Sequence, residues 1–201
     1  MRGTLMRGVT TAAALLLTTA LVGCSGGARV IETGGTESVV SVGEVDIQDL
    51  KNASGGMLES LITTDILNSA PNKPARLVID RVVNDTSSQF DTGELLYRMR
   101  EQLVNSGKAQ VITTYGPNAE SQVAQDELRR RAMQEGRSDF ETLTPDFTLT
   151  GKVTQLKRAS GSTKQTTYTF RLTLTDVRTG LEAWTKTVEI TKQGKKNSVG
   201  F

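Results

Sequence analysis

With 201 residues, 36% of them hydrophobic, the chain has material for one packed core and little more. Its 24 Lys and Arg exceed its 22 Asp and Glu by two, and those two, Arg2 and Arg7, fall in the first 23 residues, so the remainder is formally neutral. Without a basic excess or a sustained basic run there is little to neutralise phosphates, and no nucleic-acid partner is expected.

Arg2 and Arg7 precede an apolar stretch, residues 9–21, that is too short to cross about 30 Å of hydrocarbon and reads as a secretion signal spanning residues 1–23. It ends in Leu21-Val22-Gly23-Cys24, which resembles the lipobox of bacterial lipoproteins. Cys24 is the sole cysteine, so an internal disulfide is excluded, and its place between a signal and a Ser-Gly-Gly stretch is not that of a core thiol. A thiolate accepts a diacylglyceryl group as a thioether, and cleavage before Cys24 frees an amine for a further acyl chain such as palmitate. Each buried methylene contributes about 0.8 kcal/mol, and two or more chains anchor stably. In Gram-negative lipoproteins an Asp after the cysteine favours the inner membrane. Residue 25 is Ser, so the resemblance implies the periplasmic face of the outer membrane.

Residues 24–43, the lipidated cysteine and a Gly/Ser/Thr-rich stretch without sustained period, are expected to form a tether. The nineteen residues after Cys24 reach at most about 65 Å. The globular domain is expected over residues 44–193, with a basic tail at 194–201 carrying Lys195 and Lys196.

Asp46 is placed to cap a helix whose apolar positions Ile47, Leu50, Met57, Leu58, Leu61 and Ile62 share one face, with Gly55 and Gly56 weakening its middle. After Pro71 and Pro74, residues 76–83 form a continuous apolar run, a strand for the centre of a sheet, ended by the turn-prone Asn84-Asp85 pair. Asp91 and Glu94 have capping-box spacing ahead of a helix that buries Leu95, Met99 and Leu103 and stops at Gly107. Residues 110–113 read as another strand, and Pro117 or Asn118 opens a polar helix through Glu135 whose Arg129, Arg130 and Arg131 read as a solvated face. The period then changes from near four to two. Phe147, Leu149, Gly151 and Val153 alternate with polar residues, as do Tyr168, Phe170, Leu172 and Leu174, and Trp184, Val188 and Ile190 mark a third strand. The predicted fold class is α/β (α+β): helices packed on a mixed sheet that ends in a three-strand antiparallel meander.

The absence of histidine removes Ser-His-Asp and Cys-His catalysis and every His-containing zinc site, and no Ser is followed three places later by Lys. Paired carboxylates, which sequence spacing does not locate, leave a glycan hydrolase open as a minor reading. No catalytic residue, metal or cofactor is assigned.

Val78-Ile79-Asp80-Arg81-Val82-Val83-Asn84-Asp85-Thr86, then Asp91-Thr92 and a helix ending Leu103-Val104-Asn105-Ser106-Gly107-Lys108, resemble the LpoB family of penicillin-binding-protein activators. So do Pro145-Asp146-Phe147-Thr148-Leu149-Thr150-Gly151-Lys152-Val153 and the closing Leu172-Thr173-Leu174-Thr175-Asp176-Val177-Arg178-Thr179-Gly180, with Trp184 four places on. The similarity runs through nearly all of residues 44–193. It implies a domain similar to the amino-terminal domain of TolB, carried by an outer-membrane lipoprotein. It further implies that this domain docks on a class A penicillin-binding protein and stimulates peptidoglycan synthesis without catalysis. The tether is shorter than the Pro-rich one of the best-known member. An accessory lipoprotein of another envelope assembly, such as a secretion or surface-appendage complex, is the alternative. For the partner interface the residues offered are Thr167, Thr169, Arg171 and Thr173, on the polar face of the second meander strand.

Overall fold

A carboxylate caps the first helix, α1 (Ile47–Thr63), in the computed structural model of the chain, which describes residues 29–114, 121–136 and 144–195. The chain divides into two units, Met1–Val30 and Ile31–Phe201, and every element below belongs to the second. Residues 1–23, Cys24 and the tail from Lys196 lie outside the described residues, as does the proposed helix start at Pro117 or Asn118.

Asp46 accepts from the amides of Gln48 and Asp49, and Asp49 returns the bond to the Asp46 amide at 2.9 Å, so the helix opens with two of its orphan donors satisfied. Gly55 and Gly56 do not interrupt it. Gly55 faces open space, while a β-carbon on Gly56 would lie 3.6 Å from Val188 Cγ2. Upstream, the segment read as tether carries local structure: Gly34, at φ +76°, sits in a turn closed by hydrogen bonds among Glu32, Gly35 and Ser38, and Lys51 Nζ donates to the Thr33 carbonyl at 2.7 Å.

β1 (Ala75–Asp85) is longer than the apolar run predicted, because Asn84 and Asp85 continue the parallel pairing with Val153 and Thr154. The turn tendency of Asn84 is expressed in its side chain, which accepts from Thr86 and donates to the Ser88 carbonyl. A bulge at Asp80-Arg81 resets the phase, so that Leu77, Ile79 and then Val82 point to the same core while Val83 is 46% exposed. α2 (Thr92–Asn105) is capped by Asp91 through the Gly93 amide. The reciprocal half of the predicted box is absent, because Glu94 turns to Arg98 at 2.6 Å. β2 (Ala109–Val111) is a three-residue parallel edge strand, and α3 (Gln122–Gln134) starts at its Ser121 cap.

The last third forms β3 (Phe147–Ser160), β4 (Thr163–Asp176) and β5 (Glu182–Lys195), an antiparallel meander. The sheet order is β2-β1-β3-β4-β5, so the predicted central strand β1 has neighbours on both sides and β3 is the middle strand. α1 packs against β5 and α2 against β1 and β2. Between them and the sheet lie Met57, Leu61, Met99 and Leu103 from the helices and Phe147, Leu149, Tyr168, Phe170, Leu172 and Leu174 from the strands, all buried. Val78, Ile112 and Ala132 are buried outside this cluster.

Gly151 occupies an inward position of β3 where alternation calls for a side chain. A β-carbon there would stand 2.4 Å from Leu172 Cδ2 and 2.8 Å from the Arg171 carbonyl, so the β3–β4 contact beside the β1 bulge requires its absence. Gly151→Ala should therefore lower unfolding free energy by about 1–3 kcal/mol through overpacking. Gly55→Ala, in an exposed helical position, should raise it by about 0.5–1 kcal/mol. Urea midpoints of the two variants check both signs.

Candidate functional site

The candidate docking face is built by strand alternation. With Tyr168, Phe170, Leu172 and Leu174 turned into the core, Thr167, Thr169, Arg171 and Thr173 necessarily share the opposite face of β4. Register places Thr191, Thr187 and Thr185 of β5 beside Thr167, Arg171 and Thr173. The side chains meet across the strands: Thr167 and Thr191 hydroxyls are 2.9 Å apart, Thr173 and Thr185 hydroxyls 3.3 Å, and Arg171 Nε donates to Thr187 Oγ1 at 3.4 Å. On the other side Lys152 lies opposite Arg171 and pairs with Asp85 at 2.7 Å. Half-buried threonines and one exposed guanidinium thus form an ordered, polar, weakly cationic strip. The four residues named from sequence are brought together on it.

What holds α1 against the end of β5 escaped sequence reasoning. Lys192 is the one buried lysine or arginine among the described residues. Its ammonium donates to Asp49 Oδ2 at 2.5 Å, Asp46 Oδ2 at 2.8 Å and the Glu44 carbonyl at 2.9 Å, which uses all three of its protons. It also lies 6.0 Å from the centroid of the Tyr168 ring. The Tyr168 hydroxyl accepts from Gln155 Nε2 at 3.0 Å, Gln155 Oε1 accepts from the Ser87 amide and hydroxyl, and Ser88 Oγ accepts from the Val45 amide. One polar network therefore ties the start of α1, the loop after β1 and the far half of the meander. Burial pushes the Asp49 carboxyl above its ordinary 3.8, against the lowering effect of Lys192 and of the Asp46 amide. Burial likewise raises the Tyr168 phenol above 10.0, helped by the Asp49 and Glu44 carboxylates. The signal was present in the sequence: position 192 is in phase with the inward Trp184, Val188 and Ile190, so a lysine there must meet carboxylates.

Two further features lock the frame. Trp184 Nε1 donates to Ser60 Oγ at 3.2 Å, a second strut between α1 and β5. Buried Asp146 accepts from Asn72 Nδ2 at 2.9 Å and from the Arg76 amide at 2.8 Å, fixing the entry of β3 beside β1. On α2, exposed Tyr97 stacks under Arg100, 4.7 Å from guanidinium to ring centroid, beside a hollow of about 280 Å³ facing β1 and β2. Arg129, Arg130 and Arg131 are exposed on α3 and pair with Asp126 and Glu127, as a solvated face would. Among the described residues no three His, Cys, Asp or Glu side chains cluster as metal ligands, and no helix is long and apolar enough to cross a membrane.

Such a domain, with α1 and α2 on one face of a mixed sheet and a long antiparallel meander, belongs to the α+β class. The model of the peptidoglycan-synthase activator LpoB matches residues 48–190, and the chain belongs to the LpoB family. It is similar to the LpoB C-terminal domain from Escherichia coli, at 17% identity over 71% of this chain and 98% of that one, with a TM-score of 0.41. The corresponding domain from Salmonella enterica gives 16% identity, the same coverage and the same score. Lipoprotein GNA1162 from Neisseria meningitidis is 17% identical over 62% of this chain and 87% of that one, with a TM-score of 0.34. Among curated proteins none matches the chain.

Removing one partner from a buried ion pair leaves the other charge uncompensated. Lys192→Met should therefore lower stability by about 3–5 kcal/mol, and Lys192→Met with Asp49→Asn should recover part of the loss, as read from denaturant unfolding. The raised Asp49 pKa also has a signed consequence. The folded state holds that proton more tightly than the unfolded chain, so its contribution is fully present below 3.8 and is lost as pH rises through the folded value. The unfolding free energy of the wild type minus that of Asp49→Asn should fall as pH rises from about 3 to 7, which paired pH titrations of stability measure.

Proposed function

We propose that the chain is an outer-membrane lipoprotein, cut before Cys24 and acylated there, whose domain docks on a class A penicillin-binding protein and stimulates peptidoglycan synthesis without chemistry of its own. The observation that carries this reading is membership of a peptidoglycan-synthase activator family over residues 48–190. A noncatalytic activator works by binding the active conformation of its synthase more tightly than the inactive one. The docking face proposed is the β4 strip of Thr167, Thr169, Arg171 and Thr173. Its support is the ordered cross-strand bonding, which lowers the side-chain entropy lost on association. The hydrogen bond from Lys51 Nζ to the Thr33 carbonyl, which sets the Glu32–Ser38 turn against α1, supports a short tether that keeps the domain close to its membrane.

Purified domain added to a class A synthase of its own organism should bind it and accelerate glycan polymerisation; failure of both in the same preparation rejects the reading. Arg171→Glu should weaken docking by roughly tenfold in Kd while leaving the unfolding midpoint unchanged. Cys24→Ser should move the mature protein from the membrane fraction to the soluble periplasmic fraction.

A further inference from the structure

Two attachments of unequal strength hold the stretch that precedes α1. The inner one belongs to the buried network: the Glu44 carbonyl accepts from Lys192, the Val45 amide donates to Ser88 Oγ at 3.0 Å, and the Val45 side chain packs against the core. The outer one is the Glu32–Ser38 turn. Its contacts on α1 include the 2.7 Å bond from Lys51 Nζ to the Thr33 carbonyl and the close approach of Gly34 to Gln48, where a β-carbon would stand 2.0 Å from Gln48 Oε1. Gln48 is itself held along the helix by a 2.8 Å bond from its Nε2 to Asn52 Oδ1. Between the two attachments Val39 and Val40 are exposed.

Solvent makes the difference in strength. Water competes directly for the exposed bond between Lys51 and Thr33, and no residue from 32 to 40 is buried, so the turn closes on α1 with little net gain. At the inner attachment Lys192 is buried, and opening it would strand a charge. A segment with few buried apolar contacts opens at far lower free energy than the body it rests on. The outer attachment therefore opens while the inner one and α1 stay in place. Opening changes a length. The seven residues between Cys24 and Glu32 reach at most about 25 Å, whereas the nineteen through Gly43 reach at most about 65 Å.

We infer that the Glu32–Ser38 turn is a reversible catch on α1 that regulates the reach of the tether: closed, it leaves seven residues between Cys24 and the domain, and open, nineteen. The consequence deepens the membrane attachment proposed above and rests on it, whereas the catch itself is independent of acylation, so the two fail separately. A partner beyond the shorter reach binds only the open form. Its apparent Kd is the intrinsic one divided by the open fraction, so the catch weakens docking on a distant partner without touching the docking face.

The test uses the unacylated chain from Cys24 onward, in which the sole cysteine and the sole tryptophan make a measuring pair: an acceptor dye on Cys24 reports its distance from Trp184 by energy transfer. Amide hydrogen exchange read by mass spectrometry follows residues 32–38 and 44–50 separately. In the wild type, residues 32–38 should exchange more slowly than an unstructured peptide of the same sequence and faster than residues 44–50. Gly34 sits at φ +76°, where a β-branched residue is strained, so Gly34→Val should speed exchange of residues 32–38 about tenfold and lower the energy transfer, with residues 44–50 and the thermal midpoint unchanged. Lys51→Met should move both readouts in the same direction by a smaller factor. Gly43→Ala, whose β-carbon would meet nothing within 4 Å, should move neither. Wild-type exchange of residues 32–38 at the unstructured rate overturns the inference, since no closed form then exists. Exchange of residues 32–38 in step with 44–50 overturns it as well, because the turn then opens only with the body. So does unaltered exchange and transfer in both Gly34→Val and Lys51→Met.

Discussion

The arrangement of this domain hinges on a single ammonium group placed where strand alternation demands an apolar side chain. Lys192 ends the inward row of β5 and draws Asp46 and Asp49, both at the start of α1, onto the sheet. Those carboxylates are also the two halves of the capping box, so the charges that compensate the lysine are the ones that begin the helix. Desolvation of three charged groups is costly, and the geometry meets that cost by giving the ammonium three acceptors and Asp49 Oδ2 a backbone donor. Without this junction the start of α1 and the end of the meander would share only apolar contact, which does not fix register along the helix axis.

From that junction the molecule divides into faces with different properties. The helices α1 and α2 cover one side of the sheet and close the core. The other side of β4 and β5 stays polar, with hydroxyl pairs between facing threonines. Beyond the junction, where no helix follows, the meander continues for several residues and, with residues 41–43, lines a cleft. A strand pair longer than the helices it packs on thus produces, from one β-hairpin, both a buried core segment and an exposed tip.

Much of the architecture follows from local rules and was legible in the chain. The caps of α1 and α2 are short-range carboxylate chemistry, and the meander is two-residue alternation sustained over three segments, each too long to be ambiguous. The bulge in β1 was not legible, since residues 77–83 are apolar on both parities and only the pairing with β3 shows where the phase slips. The same holds for Gly151, which reads as an ordinary inward position until Leu172 and the Arg171 carbonyl are seen against it. Glu94 had the spacing of a capping partner, but an arginine one turn on offered a competing bond that spacing does not weigh.

The sequence by itself determined the number of α-helices and strands, the inward and outward faces of the meander, the polar strip on β4 and the resemblance to the LpoB family. These depend on residues near one another in the chain, where the 3.6- and two-residue periods and capping geometry act directly. Tertiary structure alone decided the strand order and the partners of Lys192. Those depend on contacts between segments tens of residues apart or, for Lys192 and Asp46, well over a hundred, and no local periodicity records which distant charge a buried ammonium will find.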